Sequence, residues 1–294
     1  MSFFDQLLQF FVSGVTQGSI YAIVGLGFTI IYNSTEIINF AQGEFVMLGA
    51  MFMVTFNAAL GLPIPISFVI SVIAVLIIGI LIDLLIIRPV RKPTHISLII
   101  ITIGASIFIK GVAMLAWKKD YHAATPFSGE KPISIGTAAI TPQALWVIGI
   151  TCVVLVLLHL FFEYTDTGKG MRASAINPKA ASLLGIRVKR MVLISFALSG
   201  ALGAVAGIII APITFAIYNM GVMLGLKGFC GAVIGGLGSV PGAIIGGFAL
   251  GVLEAMGAGL ISSAYKDAIA FVVLLLVLFM RPTGILGKGE MKRV

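Results

Sequence analysis

Charge is scarce in this 294-residue sequence: its 19 Lys and Arg and 11 Asp and Glu amount to 10% of the chain, while 59% is apolar. Soluble globular chains carry roughly a quarter charged residues, so a water-soluble fold is excluded. Cysteine is almost absent. Cys152 and Cys230 stand far apart inside apolar runs, which rules out a disulfide framework and leaves both as small core residues. The three histidines, His95, His122 and His159, have no ligand spacing, so no metal site is assigned. No Gly-x-x-x-x-Gly-Lys-Ser/Thr loop occurs, so ATP has no phosphate cradle on this chain. No nucleophile sits beside a base at matching depth, which sets an intramembrane enzyme aside. A basic n-region is also missing: Asp5 precedes the first apolar stretch, unlike a cleaved signal peptide.

Long apolar runs fill the rest. A helix needs about 20 mostly apolar residues to cross a bilayer, and nine candidate spans follow: Leu7–Ile31, Phe45–Leu60, Ile64–Ile87, Ile96–Trp117, Ala144–Phe162, Met191–Pro212, Gly221–Leu237, Gly242–Ile261 and Tyr265–Met280. Phe45–Leu60 and the last span are short, so eight or nine membrane segments are expected, some re-entrant or tilted. The fold class is an all-α polytopic bundle forming a single domain over residues 1–294.

The net charge of +8 resides between the apolar runs and not along one face, which argues against nucleic acid. One set of loops holds 13 Lys and Arg: Arg88, Arg91, Lys92, Lys169, Arg172, Lys179, Arg187, Lys189, Arg190, Arg281, Lys288, Lys292 and Arg293. The other set holds four, Lys118, Lys119, Lys131 and Lys266. The positive-inside rule places the C-terminus and the tail 281–294 in the cytoplasm, and nine crossings place the N-terminus outside. Residues 118–143 then form an external loop in which Pro132-Ile-Ser-Ile-Gly reads as a short hairpin.

The cytoplasmic loop 163–190 is the most informative stretch. Asn177 and Pro178 have the chemistry of an N-cap and a first helical residue, Lys179-Ala-Ala-Ser-Leu-Leu continues the helix, and Gly185 ends it. Ala180, Ala181 and Leu184 are expected to make one apolar patch, fit either to rest on headgroups or to enter another protein's groove.

Ionisable groups in apolar runs are costly and so mark candidate sites. Glu254, Glu44 and Gln17 are candidates for a pathway lining, with Tyr21, Asn39, Gln42 and Lys227 in the same set; a structural hydrogen bond between helices is the competing reading for each. Lys110 is expected to snorkel outward, Lys227 to line a vestibule or pair with Glu254, and Asp83 to pair with Arg88 at i, i+5. Thirteen glycines between residues 221 and 259, many spaced i, i+4, are expected to bring helices together inside this chain. Gly238-Ser-Val-Pro-Gly242 reads as a tight cytoplasmic turn.

Three segments carry a resemblance: Gly18–Tyr32 leading into Ile38–Ala50, the loop pattern Gly170-Met-Arg-Ala-x-Ala-x-Asn-x-x-Ala-Ala-x-x-x-Gly185-Ile, and Gly225–Gly247. Together they resemble the branched-chain amino acid (Liv-type) permeases of ATP-binding-cassette (ABC) importers, in particular the H-type subunit. Gln42 departs from the pattern, since many relatives have His there. The resemblance implies a permease of the bacterial inner membrane, with Asn177–Leu184 as its coupling helix and branched-chain or hydrophobic amino acids as substrate. Implied partners are a LivM-like second permease, two LivG/LivF-like ATPases that use ATP and Mg, a periplasmic binding protein, and membrane lipid. No cofactor is implied for the chain itself. The alternatives are a related permease for urea or short amides, or an ion-coupled secondary transporter drafting Glu44 or Glu254.

Overall fold

A computed structural model describes residues 3–90, 94–129, 131–135 and 138–287; Arg91, Lys92, Lys288, Lys292 and Arg293 of the charge count lie outside them. Its described residues form eleven α-helices and one small hairpin. In chain order the helices are α1 (Phe3–Thr35), α2 (Gln42–Val54), α3 (Ile64–Ile82), α4 (His95–Trp117), α5 (Pro142–Tyr164), α6 (Asp166–Ile176), α7 (Pro178–Leu183), α8 (Val188–Thr214), α9 (Met220–Gly235), α10 (Val240–Leu260) and α11 (Lys266–Met280). The strands β1 (Ile133–Ile135) and β2 (Ala138–Ile140) pair antiparallel with Ile133 opposite Ile140, where the hairpin was expected.

Local chemistry sets the helix starts. Thr94, Thr165, Asn177 and Ser239 each accept a hydrogen bond from a backbone N–H of the first turn they open, at 3.0 to 3.2 Å, satisfying a donor that the helix leaves orphaned. Proline follows the cap in α5 and α7 and stands one residue later in α10, in the first turn, where its missing N–H costs nothing. Two helices end in π-turns, Thr55–Ala59 after α2 and Asp83–Ile87 after α3. The second brings residues five apart into line: the Arg88 N–H donates to the Asp83 carbonyl at 2.9 Å, and the Arg88 guanidinium meets the buried Asp83 carboxylate at 2.8 Å. The expected i, i+5 pair is therefore present.

All nine apolar runs are helical over most of their length, and among the described residues seven helices have the length and hydropathy of membrane spans. The chain is thus a multi-pass membrane protein. α1 and α8 are buried nearly all round, whereas α3, α4, α5 and α11 bury a narrow face and present Ile, Leu, Val and Phe outward. The two shorter pieces are α2 and α9, and both begin deep in the bundle. Gln42, the first residue of α2, lies beside Gly27 and Ser199. Gly27 is eight residues before the end of α1, or roughly 12 Å at 1.5 Å per residue. The chain reaches that depth through residues 36–41, in which Asn39 and Ala41 are fully buried.

Glycine makes the interior possible. A Cβ on Gly225 would lie 2.8 Å from the Cα of Gly43, one on Gly231 2.9 Å from the Cα of Gly247, and one on Gly14 2.7 Å from the Cα of Val252. Gly200 meets the Val75 carbonyl at 2.8 Å in the same way. The glycine pairs therefore join α9 to α2 and α10, and α1 to α10, within this chain as expected. Between α9 and α10, Gly236 and Gly238 take φ of +106° and +92°, a conformation that costs other residues about 1 kcal/mol or more, and the tight turn follows.

Candidate functional site

The seven pathway candidates separate into distinct places. Asn39 is fully buried and starts α2: its Oδ1 accepts from the Ala41 N–H at 3.1 Å, and its carbonyl accepts from the Gln42 N–H at 3.1 Å. Gln42 is a lock between helices. Its Nε2 donates to the Ser199 carbonyl at 3.2 Å, its Oε1 meets the Ser199 hydroxyl, and that hydroxyl also reaches the Gly27 carbonyl at 3.1 Å. A side chain on Gly27 would collide with the Gln42 amide. Gln17 is half-buried on α1 and joins neither of the two polar sites described next.

Tyr21, Lys227 and Glu254 do converge. The Tyr21 hydroxyl donates to the Glu254 carboxylate at 3.0 and 3.1 Å, and Lys227 Nζ donates to the same group at 2.9 Å. Lys227 also contacts Asp267 at 2.6 Å, and Lys266 approaches Glu254 at 3.5 Å. Two cations thus balance two anions. Tyr21 is 14 residues from the end of α1, so the cluster lies roughly 21 Å from that end, in the half of the bundle away from α6 and α7. Of Lys227's two expected roles, pairing with Glu254 is the one observed. The carboxylate of Glu254 is filled from within the chain, as a structural group's would be.

Glu44 differs. It sits in the first turn of α2 at 1% exposure. One oxygen accepts from the Ser106 hydroxyl of α4 at 2.9 Å, while the other has no hydrogen-bond partner. The group faces a cavity of about 150 Å³ lined by Phe28, Phe40, Phe229, Ile103 and Val222, among others. Phe229 packs against Phe28 at 5.5 Å and Phe40 at 6.2 Å between ring centroids. α9 divides the two polar regions, turning Leu226 and Phe229 to the cavity and Lys227 to Glu254. Lys110, expected to snorkel, is half-buried one turn beyond Ser106. Sequence reasoning missed Asp267 and Ser106. Asp267 was hidden as a charge at a span edge, and Ser106 as one hydroxyl among apolar residues.

The comparisons with known proteins agree with this architecture. The family described as "Branched-chain amino acid transport system / permease component" matches residues 10–278. The chain belongs to it. Relatives include the high-affinity branched-chain amino acid transport system permease protein LivH of Salmonella typhimurium, 36% identical over 99% of both chains. BraD of Pseudomonas aeruginosa, with the same description, is 36% identical over 98% of both chains. A probable branched-chain amino acid transport permease protein LivH of Methanocaldococcus jannaschii is 27% identical over 93% of this chain and 90% of its own.

At the other end of this permease, the loop 163–190 holds two helices where one was expected. α6 begins because Thr165 caps it and because Gly168 lets it press on the backbone of Phe161 and Phe162. α7 is the expected one: the Asn177 Oδ1 accepts from the Ala180 N–H at 3.0 Å, Pro178 follows, and Gly185 at φ +85° stops it. The expected patch needs a correction. Ala181 is 2% exposed and turns into the bundle, because at i+4 from Asn177 it lies on the face that α8 covers. Ile176, Leu183 and Leu184 are 74%, 88% and 80% exposed and form the outward apolar face, flanked by exposed Lys179 and Ala180.

Proposed function

We infer that the chain is the membrane permease subunit of an ATP-binding-cassette importer for branched-chain amino acids, acting as one permease domain. Kinship over nearly the full length with permeases named for that transport carries the reading. In this reading a second, related permease completes the path, two ATPase subunits supply the work with ATP and Mg, and a periplasmic binding protein delivers substrate. A permease for urea or short amides has no comparable support.

In this reading the ATPase subunits meet Ile176, Leu183 and Leu184. Large apolar side chains so exposed at the end of α6 and the end of α7, with α7 itself anchored at Ala181, fit insertion into a partner's groove. α1, α5 and α9 all end on the side of α6 and α7, where the basic loops collect, so that side is taken as cytoplasmic and the N-terminus as external. Copurification of the tagged permease with its neighbours, followed by leucine uptake in proteoliposomes, tests the reading. Recovery of the two ATPases and ATP-dependent uptake are expected; leucine uptake by this chain alone, driven by an ion gradient, would refute it.

A further inference from the structure

We propose that the Glu44 cavity is half of a transient binding site for the head of an amino acid, with Glu44 and Ser106 receiving its ammonium group. The proposal rests on the reading of the chain as an amino-acid permease.

The unused oxygen of Glu44 carries the argument. A carboxylate in the membrane interior is costly; Glu254 is met by Tyr21 and Lys227, and Asp83, though its Oδ1 also has no partner, is paired with Arg88 at 2.8 Å away from any such cavity. Glu44 has one hydroxyl and the positive end of α2, and its second oxygen is buried without a hydrogen-bond partner in a residue that lines the cavity. A ligand bearing hydrogen-bond donors would satisfy it. The aromatic wall narrows the class, since ring faces attract an ammonium group and offer an aliphatic side chain an apolar surface. A metal cation is a poor fit, because hard cations want about six oxygen ligands and the cavity provides one carboxylate and one hydroxyl. An anion is repelled by Glu44.

Size makes it a half-site. Enclosed ligand pockets run from about 300 Å³ upward, and this one holds about 150 Å³. It opens between α4 and α9, where Ile103 and Val222 are 40% and 39% exposed, onto a face that a second permease can cover. The occupant thus sits between the two subunits. Substrate selection by the binding protein does not remove the need for such a site, because an ammonium group crossing hydrocarbon needs an acceptor on the way.

The test uses the complete importer in nanodiscs with its binding protein and a diazirine-bearing leucine analogue. Irradiation during turnover is expected to label the peptides that carry Phe28, Phe40 or Phe229. Glu44→Gln should lower both labelling and leucine uptake by about tenfold to a hundredfold, the range for losing a hydrogen bond to a charged partner. Glu44→Asp should recover part of each, and ATPase binding should be unchanged in both variants. If Glu44→Gln does not assemble, Glu44→Asp and Ser106→Ala are read instead and should show intermediate losses. Labelling confined to other segments, or wild-type uptake in the assembled variants, overturns the half-site while leaving the importer reading intact. A wild-type complex that moves no amino acid overturns the importer reading itself.

Discussion

Replacing Lys227 with methionine should destabilise the permease far more than removing its partner along with it. Methionine fills nearly the same volume, so packing is kept and the charge is lost. Glu254 then keeps the Tyr21 hydroxyl and the approach of Lys266 at 3.5 Å, but loses its donor at 2.9 Å while remaining fully buried. Breaking a buried ion pair from one side costs roughly 3–5 kcal/mol. The surviving partners place this case at the lower end, about 3 kcal/mol. At roughly 2–4 °C per kcal/mol for chains of a few hundred residues, the expected fall in Tm is about 6–12 °C in detergent, followed by intrinsic Trp fluorescence or by retention on gel filtration after heating. The double variant Lys227→Met with Glu254→Gln leaves a neutral amide beside Tyr21 and should recover more than half of that loss. Losses that simply add across the two positions would show that the ions do not stabilise one another, and the account of a self-contained cluster would fall.

Leu183→Asp combined with Leu184→Asp should abolish copurification of the ATPases with no change in Tm, since both side chains are exposed; Ala181→Asp should instead lower Tm and the yield of folded permease. Retained ATPases in the first variant would move the docking face elsewhere. Gly231→Leu should prevent recovery of monodisperse protein, because its first side-chain carbon would already meet the α10 backbone; a normal gel-filtration profile would mean that α9 and α10 are not in contact. Gln42→Leu removes the side-chain donor to the Ser199 carbonyl and leaves the Ser199 hydroxyl only the Gly27 carbonyl, which should cost about 1–3 kcal/mol, read as a lower Tm, while uptake per folded complex stays near normal; a selective loss of uptake would place Gln42 in the path.

The nine hydrophobic segments were legible because membrane spans have a length signal that survives without context. Capping chemistry was equally legible: Asn177, Pro178 and Gly185 do in the structure what their side chains dictate locally. What escaped the sequence was direction. Ala181 and Leu184 are three residues apart on one helix, yet one is buried and the other stands out, because α8 covers only one flank. The same applies to the acids. Glu44 and Glu254 look alike in a hydrophobic run, and only the distant residues that meet them, Ser106 in one case and Tyr21 and Lys227 in the other, separate a carboxylate with a free oxygen from one already satisfied. That α9 starts deep in the bundle was also invisible, since Phe215, Ala216 and Ile217 ahead of it are apolar too.

A π-turn is a helix holding one residue more than its pitch allows. At the end of α3 that surplus is what brings a guanidinium over the carboxylate buried one wide turn before it. Excising any single residue between Leu84 and Ile87 would relax the backbone to ordinary winding and carry Arg88 from the fifth to the fourth position after Asp83, a spacing at which helical ion pairs still meet. The same carboxylate can thus be met from a wide turn or an ordinary one, so this short stretch should tolerate the loss of one apolar residue far better than the loss of Arg88 itself.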